Sequence, residues 1–271
     1  MTKHIVAIVS DTHIGSTVGL CPPSVNLDDG GTYSASPGQA WLWRSWKDFS
    51  ARVKTIAGGA EITTIFNGDL VEADSKKRSH QTITRNKADL TRIATETIAP
   101  LVDISTRAFF IRGTEAHVGK SAQYEEEIAA DCSIAVKSSE TVTSWWSLYA
   151  DIGGVCFDIS HHGRIGSLPW NRAAPLGQMA IRTLLAYAGR RVPNVLVRSH
   201  NHRYASTHDN YPVTVISTPA WQLATEYTHR LGIPEPADIG GIIFTIENGA
   251  YTWQKMIFTP RPAKPLVLSK S

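Results

Sequence analysis

Several short apolar runs in this chain break off into turns that carry aspartate or histidine, and this repetition restricts the fold more than any other feature. The first run, Ile5-Val6-Ala7-Ile8-Val9, delivers Ser10-Asp11-Thr12-His13. Its length and composition are those of a buried strand. Side chains two apart on extended backbone point the same way, so Asp11 and His13 can reach one place beyond the strand end. Ile62-Thr63-Thr64-Ile65-Phe66 leads likewise into Asn67-Gly68-Asp69, and Ala108-Phe109-Phe110-Ile111 into Arg112-Gly113-Thr114-Glu115-Ala116-His117. Val155 to Ile159 ends in Ser160-His161-His162-Gly163, and Val195-Leu196-Val197 in Arg198-Ser199-His200-Asn201-His202.

Helical periodicity fills the intervals, over Ala40 to Ile56, Asn86 to Ile104 and Arg172 to Arg190. Tyr124 to Cys132 reads as a short acidic helix without evident chemistry. Trp145 to Tyr149 and Val155 to Ile159 flank Asp151-Ile152-Gly153-Gly154, a hairpin signal. The last quarter is β-rich, with Val213 to Ser217, Ile242 to Ile246 and Tyr251 to Phe258. Strands alternating with helices, and ligand-type residues at strand ends, describe a layered α/β fold with its site at the carboxyl edge. Residues 1–260 are expected to form a single domain, with 261–271 as a C-terminal extension. The polar stretch 16–39 reads as a long loop covering the site. Trp41, Trp43 and Trp46 fit a helix packed on a sheet better than a base-stacking platform.

Across 271 residues the formal net charge is +3, too little to imply a nucleic-acid or membrane partner by itself. Cys21, Cys132 and Cys156 are odd in number and far apart, which fits a reduced compartment rather than a disulfide framework. No apolar stretch approaches the ~20 residues of a membrane span, and the first run is too short for a signal segment. A cytoplasmic protein is expected.

The converging groups are Asp11, His13, Asp69, the pair His161 and His162, His200 and His202. Mixed imidazole and carboxylate suits Mn²⁺, Zn²⁺ or Fe, and is too rich in nitrogen for Mg²⁺ or Ca²⁺. There are enough ligands for two divalent ions, with Asp69 as the natural bridge. Two ions roughly 3.5–4 Å apart can hold a hydroxide and clamp both oxygens of a phosphoryl displacement.

Asp11-x-His13, Gly68-Asp69, the glycine-containing third motif, His161-His162-Gly163 and His200-x-His202 resemble the calcineurin-like metallophosphoesterase superfamily in kind and order. The resemblance implies a four-layer α/β/β/α sandwich, with a dinuclear centre that hydrolyses phosphate mono- or diesters and for which Mn²⁺ is the first expectation. It assigns Asp11, His13 and His202 to one ion and Asp69 to the bridge. His200 and one of the His161/His162 pair go to the other ion. His161 is the preferred member, although a histidine directly before glycine also matches the pattern.

The third motif departs from the family's Gly-Asn-His. Thr114 stands where the asparagine ligand is expected, with Glu115 as a substitute oxygen ligand, and His117 arrives two residues late as the acid for the leaving group. Arg112 is the candidate for gripping a phosphate oxygen. This turn and the compact chain are also similar to phage-type members. A phosphodiester substrate is favoured, with nucleic acid as a partner offered by the basic stretch Lys76 to Lys87 and by Arg190, Arg191, Arg198 and Arg203. The alternatives are a phosphomonoesterase, or a binding protein that kept the fold with a weakened second site.

Overall fold

The computed structural model describes residues 3–73, 80–232 and 236–261. In chain order the elements are β1 (Lys3–Val9), β2 (Ser24–Asn26), β3 (Thr32–Ser34), α1 (Pro37–Ala57), β4 (Glu61–Asn67), α2 (Lys87–Val102) and β5 (Arg107–Ile111). Then come α3 (Glu115–Val118), α4 (Gln123–Asp131), β6 (Leu148–Ile152), β7 (Val155–Ile159), α5 (Ala174–Ala186) and β8 (Val195–Arg198). The chain closes with β9 (Ala205–Ser206), β10 (Thr214–Ser217), α6 (Glu226–Arg230), β11 (Ile239–Glu247) and β12 (Ala250–Phe258).

Two five-stranded sheets result, ordered β12-β11-β1-β4-β5 and β6-β7-β8-β10-β9. Strand β1 shows why they must stack. Ile5, Ala7 and Val9 belong to a core shared with helical residues such as Leu42, Trp46, Ile93 and Ile98, whereas Val6 and Ile8 join Phe157, Val195 and Val197 of the other sheet. A strand apolar on both faces has to be covered on both. A third cluster packs Leu176 and Ala180 of α5 on Leu196 and Val215. The layers are therefore helices, sheet, sheet and helix, as the resemblance implies.

Local signals set the helix ends. Ser36 and Gln39 form a reciprocal capping box at the start of α1, with Pro37 in the first turn, and Gly58 closes it in the left-handed conformation at φ 57°. Asn86 caps α2 through the N–H groups of Ala88 and Asp89. Trp46 is fully buried in the core, and Trp41 and Trp43 pack against it partly buried.

Stretch 16–39, expected as a long loop covering the site, carries structure of its own. Leu20, Cys21 and Val25 are buried in the helix-side core, and β2 pairs with β3 as a small hairpin. Buried apolar residues among polar ones give this segment an anchor that its glycine and proline content conceals. The three cysteines are unpaired. Among the described residues no helix is long and apolar enough to cross a membrane. The basic residues Lys76, Lys77 and Arg78 lie outside the described residues, as does 262–271 of the expected extension.

Candidate metal centre

The centres of both sheets are parallel: β1 pairs with β4 and β4 with β5, while β7 pairs with β8 and β8 with β10. Parallel strands end on the same edge, so the five polar turns emerge together. Where β1 and β4 stop, their chains stay laced: the Asp11 N–H donates to Gly68 O at 2.9 Å and the His13 N–H to Asp69 O at 3.0 Å. Asp11, His13, Asp69, His200 and His202 all sit at positive φ, between 43° and 73°. Such backbone costs a side-chain-bearing residue roughly 1–2 kcal/mol, and strain of this kind is retained where it aims functional groups. Two glycines permit the crowding. A Cβ on Gly68 would stand 2.4 Å from His161 Nδ1, and one on Gly113 would stand 2.2 Å from Asp69 N.

Two groups of donors form at this edge. In the first, His13 Nε2 lies 3.3 Å from His202 Nε2, which lies 3.3 Å from Asp11 Oδ1. The second nitrogen of His13, Nδ1, is 3.0 Å from Glu72 Oε2. Donating Nδ1–H to that carboxylate leaves Nε2 as a lone pair facing its neighbours. In the second group, His161 Nδ1–H donates to Asn67 O at 2.7 Å, and its Nε2 faces Asp69 Oδ2 at 3.0 Å. Thr114 Oγ1 stands 3.2 Å from His162 Nε2 and 3.3 Å from His200 Nδ1. His161, His162 and His200 bring their nitrogens within 4.8 Å of one another, and Asp11, Asp69 and His161 link the two groups.

The fit to divalent cations rests on two orphans. Asp11 Oδ1 and His161 Nε2 are buried without a hydrogen-bond partner. Buried acceptors facing one another cost several kcal/mol unless a positive charge lies between them, on the order of 1–3 per group. Protons show the same demand. Burial opposes a charge on His161, yet the carboxylates of Asp69 and Asp11 outweigh it and push the imidazole up to about 10. Burial likewise opposes ionised Asp11, but His202 and His161 draw it down to about 2. Asp69 is held well below the usual carboxylate range against the same burial, by His161 and His200.

Five turns in this order, at one shared edge of a two-sheet sandwich, decide the architecture. The fold is the four-layer sandwich implied by the resemblance of these motifs to the calcineurin-like metallophosphoesterases. Among protein families and curated proteins, no match to the sequence is found. Among solved structures, vacuolar protein sorting 29 from Cryptosporidium parvum is 11% identical, covers 96% of this chain and 100% of its own, and has a TM-score of 0.46. A dimetal phosphatase from Danio rerio is 8% identical over 93% of this chain and 95% of its own, with a TM-score of 0.48. A 5'-nucleotidase from Candida albicans covers 95% of this chain but 52% of its own, at 8% identity and a TM-score of 0.38. None of these likenesses bears on the phage-type expectation.

His13, Asp69, His200 and His202 of these groups floor a cleft of ≈1320 Å³. One wall is the 165–172 segment, with Leu168, Pro169 and Arg172, and the other is the 222–232 segment, with Tyr227 and Arg230. Of stretch 16–39, Ser16 alone lines it, so the expected cover comes from other loops. His117 reaches the cleft from the one-turn helix α3, its ring centroid 4.7 Å from that of His13. Its Nδ1 is 2.9 Å from Glu72 Oε2. Burial disfavours a charged His117, but Glu72, together with Asp69 and Asp11, more than compensates and raises it to about 9; burial also opposes ionised Glu72, which His117 and His13 nonetheless hold down at about 2. Sequence pattern does not single out Glu72 as a site residue. The one signal for it is its place in the same polar turn as Asp69.

Two expectations are corrected. Glu115 does not join the ligand groups: it is exposed at the start of α3, where its carboxylate accepts the Ser121 N–H at 3.4 Å. Beginning a helix there turns its side chain away from Thr114. Arg112 does not face the cleft either. Its Nε–H donates to Ser144 Oγ at 2.8 Å, Glu126 lies 3.7 Å away, and the guanidinium stacks 4.8 Å from the Trp146 ring centroid. The basic flank is largely neutralised, with Arg198 bound to Asp158 at 2.8 Å and Arg191 bound to Asp151. Arg203 is the member of that set that lines the cleft.

Proposed function

We propose that this chain is a dinuclear metal-dependent phosphoesterase acting on phosphodiesters. The observation that carries the reading is the convergence of buried, unpaired donors, Asp11 Oδ1 and His161 Nε2, under a wide cleft. Asp11, His13 and His202 would hold one ion, His200 with His161 or His162 the other, with Thr114 Oγ1 beside it and Asp69 between them. Mn²⁺ is the first choice, and Zn²⁺ or Fe fit the same donors. When bound, such ions supply an activated water and neutralise charge on the phosphoryl oxygens.

The remaining work falls to the chain's own side chains. Glu72 orients His13 through Nδ1 and, by its contact with Nδ1 of His117, favours the protonated form of that imidazole. With Nδ1 bound to Glu72, His117 has Nε2–H to give to the departing alkoxide oxygen. The cleft is large for a simple monoester, and its walls, Leu168, Pro169 and Tyr227 with Arg172 and Arg203, offer apolar and cationic contacts on two sides of the scissile bond. A diester has groups to place on both, and a nucleic-acid strand is one such substrate. The unpaired cysteines support a reduced, cytoplasmic setting.

Metal-stripped protein titrated with Mn²⁺ against bis(p-nitrophenyl) phosphate and p-nitrophenyl phosphate tests this. Metal-dependent diester turnover that disappears in Asp69→Asn is expected. Turnover of the monoester alone would move the assignment to a phosphatase, and absence of both turnover and metal binding would leave a binding protein.

A further inference from the structure

Helix α4 contributes one side chain to the interior beneath the centre, and its two contacts are both on backbone adjoining candidate ligands. Glu125 is 1% exposed. Its Oε1 accepts the Leu70 N–H at 3.0 Å and its Oε2 accepts the Gly113 N–H at 2.7 Å. Leu70 directly follows Asp69, and Gly113 directly precedes Thr114. These two turns end different strands, β4 and β5, and the Thr114 N–H in turn donates to Asp69 Oδ1 at 2.6 Å. One carboxylate thus fastens both turns, with the Asp69–Thr114 hydrogen bond between its two anchor points.

The local backbone is bent to this end. Glu125 is the third residue of α4, where a glutamate ordinarily bonds its own helix cap. Here the preceding residues Ser121 and Ala122 take φ of 53° and 54°, and Ala122 provides no side-chain cap. The helix start is strained and the glutamate reaches past it to the two turns. Burial pushes the carboxyl up to about 7, so its placement is a cost that a simple packing residue would avoid.

We propose that Glu125 is a positioning residue that sets the spacing between the Asp69 and Thr114 turns and thereby shapes the second metal pocket. The inference rests on the metal reading above. Glu125→Gln keeps the volume but sets an amide NH₂ against one of the two N–H donors. Mn²⁺ binding is measured by calorimetry on wild type, Glu125→Gln and Val53→Ala, a core variant in α1 that lowers stability away from the site. The weaker of two Mn²⁺ affinities is expected to fall roughly 10–100-fold in Glu125→Gln, as for other groups that orient ligands, and to stay unchanged in Val53→Ala. Faster amide exchange at Leu70 and Gly113 should accompany it in metal-free protein. Wild-type affinities for both ions in Glu125→Gln, or an equal loss in Val53→Ala, would overturn the positioning role and leave the metal reading standing. A wild type that binds no Mn²⁺ would overturn both. Should Glu125→Gln fail to fold, exchange in the wild type decides: unprotected Leu70 and Gly113 amides would refute the clamp.

Discussion

Gly113→Ala is the sharpest single perturbation of this centre, because the backbone at residue 113 does not require glycine's left-handed freedom and the effect is purely one of space. The added methyl would stand 2.2 Å from Asp69 N and 2.3 Å from Asp69 Oδ1, where ordinary contact begins near 3.4 Å. One of the two turns must retreat by roughly 1 Å, an overpacking that costs ~1–3 kcal/mol. That shift also pulls the Thr114 N–H away from Asp69 Oδ1, now 2.6 Å distant, and a hydrogen bond to a charged acceptor contributes ~1.5–3 kcal/mol. Together the loss is about 2.5–6 kcal/mol, which in a domain of this size lowers Tm by roughly 5–24 °C. Differential scanning calorimetry of chelated protein reads that term, and Mn²⁺ calorimetry reads the displaced bridge. Wild-type Tm together with wild-type Mn²⁺ affinity would refute the close approach of these turns and the bridging place given to Asp69.

Three further outcomes follow from the same geometry. Glu72, drawn from 4.5 to about 2, contributes stability that is complete above pH 4.5 and lost as pH falls towards 2, and His117, raised from 6.5 to about 9, contributes stability that is complete below pH 6.5 and lost as pH rises towards 9. The shifts share the Glu72–His117 contact, with His13 adding to the first and Asp69 and Asp11 to the second, and that contact is worth at most ~3 kcal/mol, so urea unfolding of chelated protein should show a plateau between those limits, and Glu72→Gln should lower it and reduce its alkaline slope; an unchanged profile would remove the Glu72–His117 pair. Arg112→Met should cost ~1–2 kcal/mol of unfolding free energy through the lost Ser144 hydrogen bond while kcat stays within about twofold, whereas a large fall in kcat in a folded variant would return Arg112 to the phosphate. His161→Gln should lose Mn²⁺ more severely than His162→Gln, since His161 is buried against Asp69 and His162 is exposed beside Thr114; the reverse order in metal titrations would exchange their roles.

The residue pattern determined a layered α/β class and the approximate strand ends, while the stack of four layers was implied by the resemblance of the motifs. Apolar runs of five residues between amphipathic helices need cover on both faces, and where such strands run parallel the polar residues that terminate them gather at one edge. For that reason Asp11, His13, Asp69, the pair His161 and His162, His200 and His202 can be picked out as converging groups from pattern alone. What tertiary structure decided was direction. Glu115 follows Thr114 immediately, yet the start of a helix turns it outward; Arg112 ends a strand beside the site, yet Ser144 and Trp146 hold it elsewhere. Glu72 and Glu125 read as ordinary acidic residues because their partners are histidines and backbone amides brought close only by folding. Periodicity encodes which face a residue occupies relative to its own element, and hydrogen-bond partners between elements depend on packing distances of a few ångströms that local pattern does not carry.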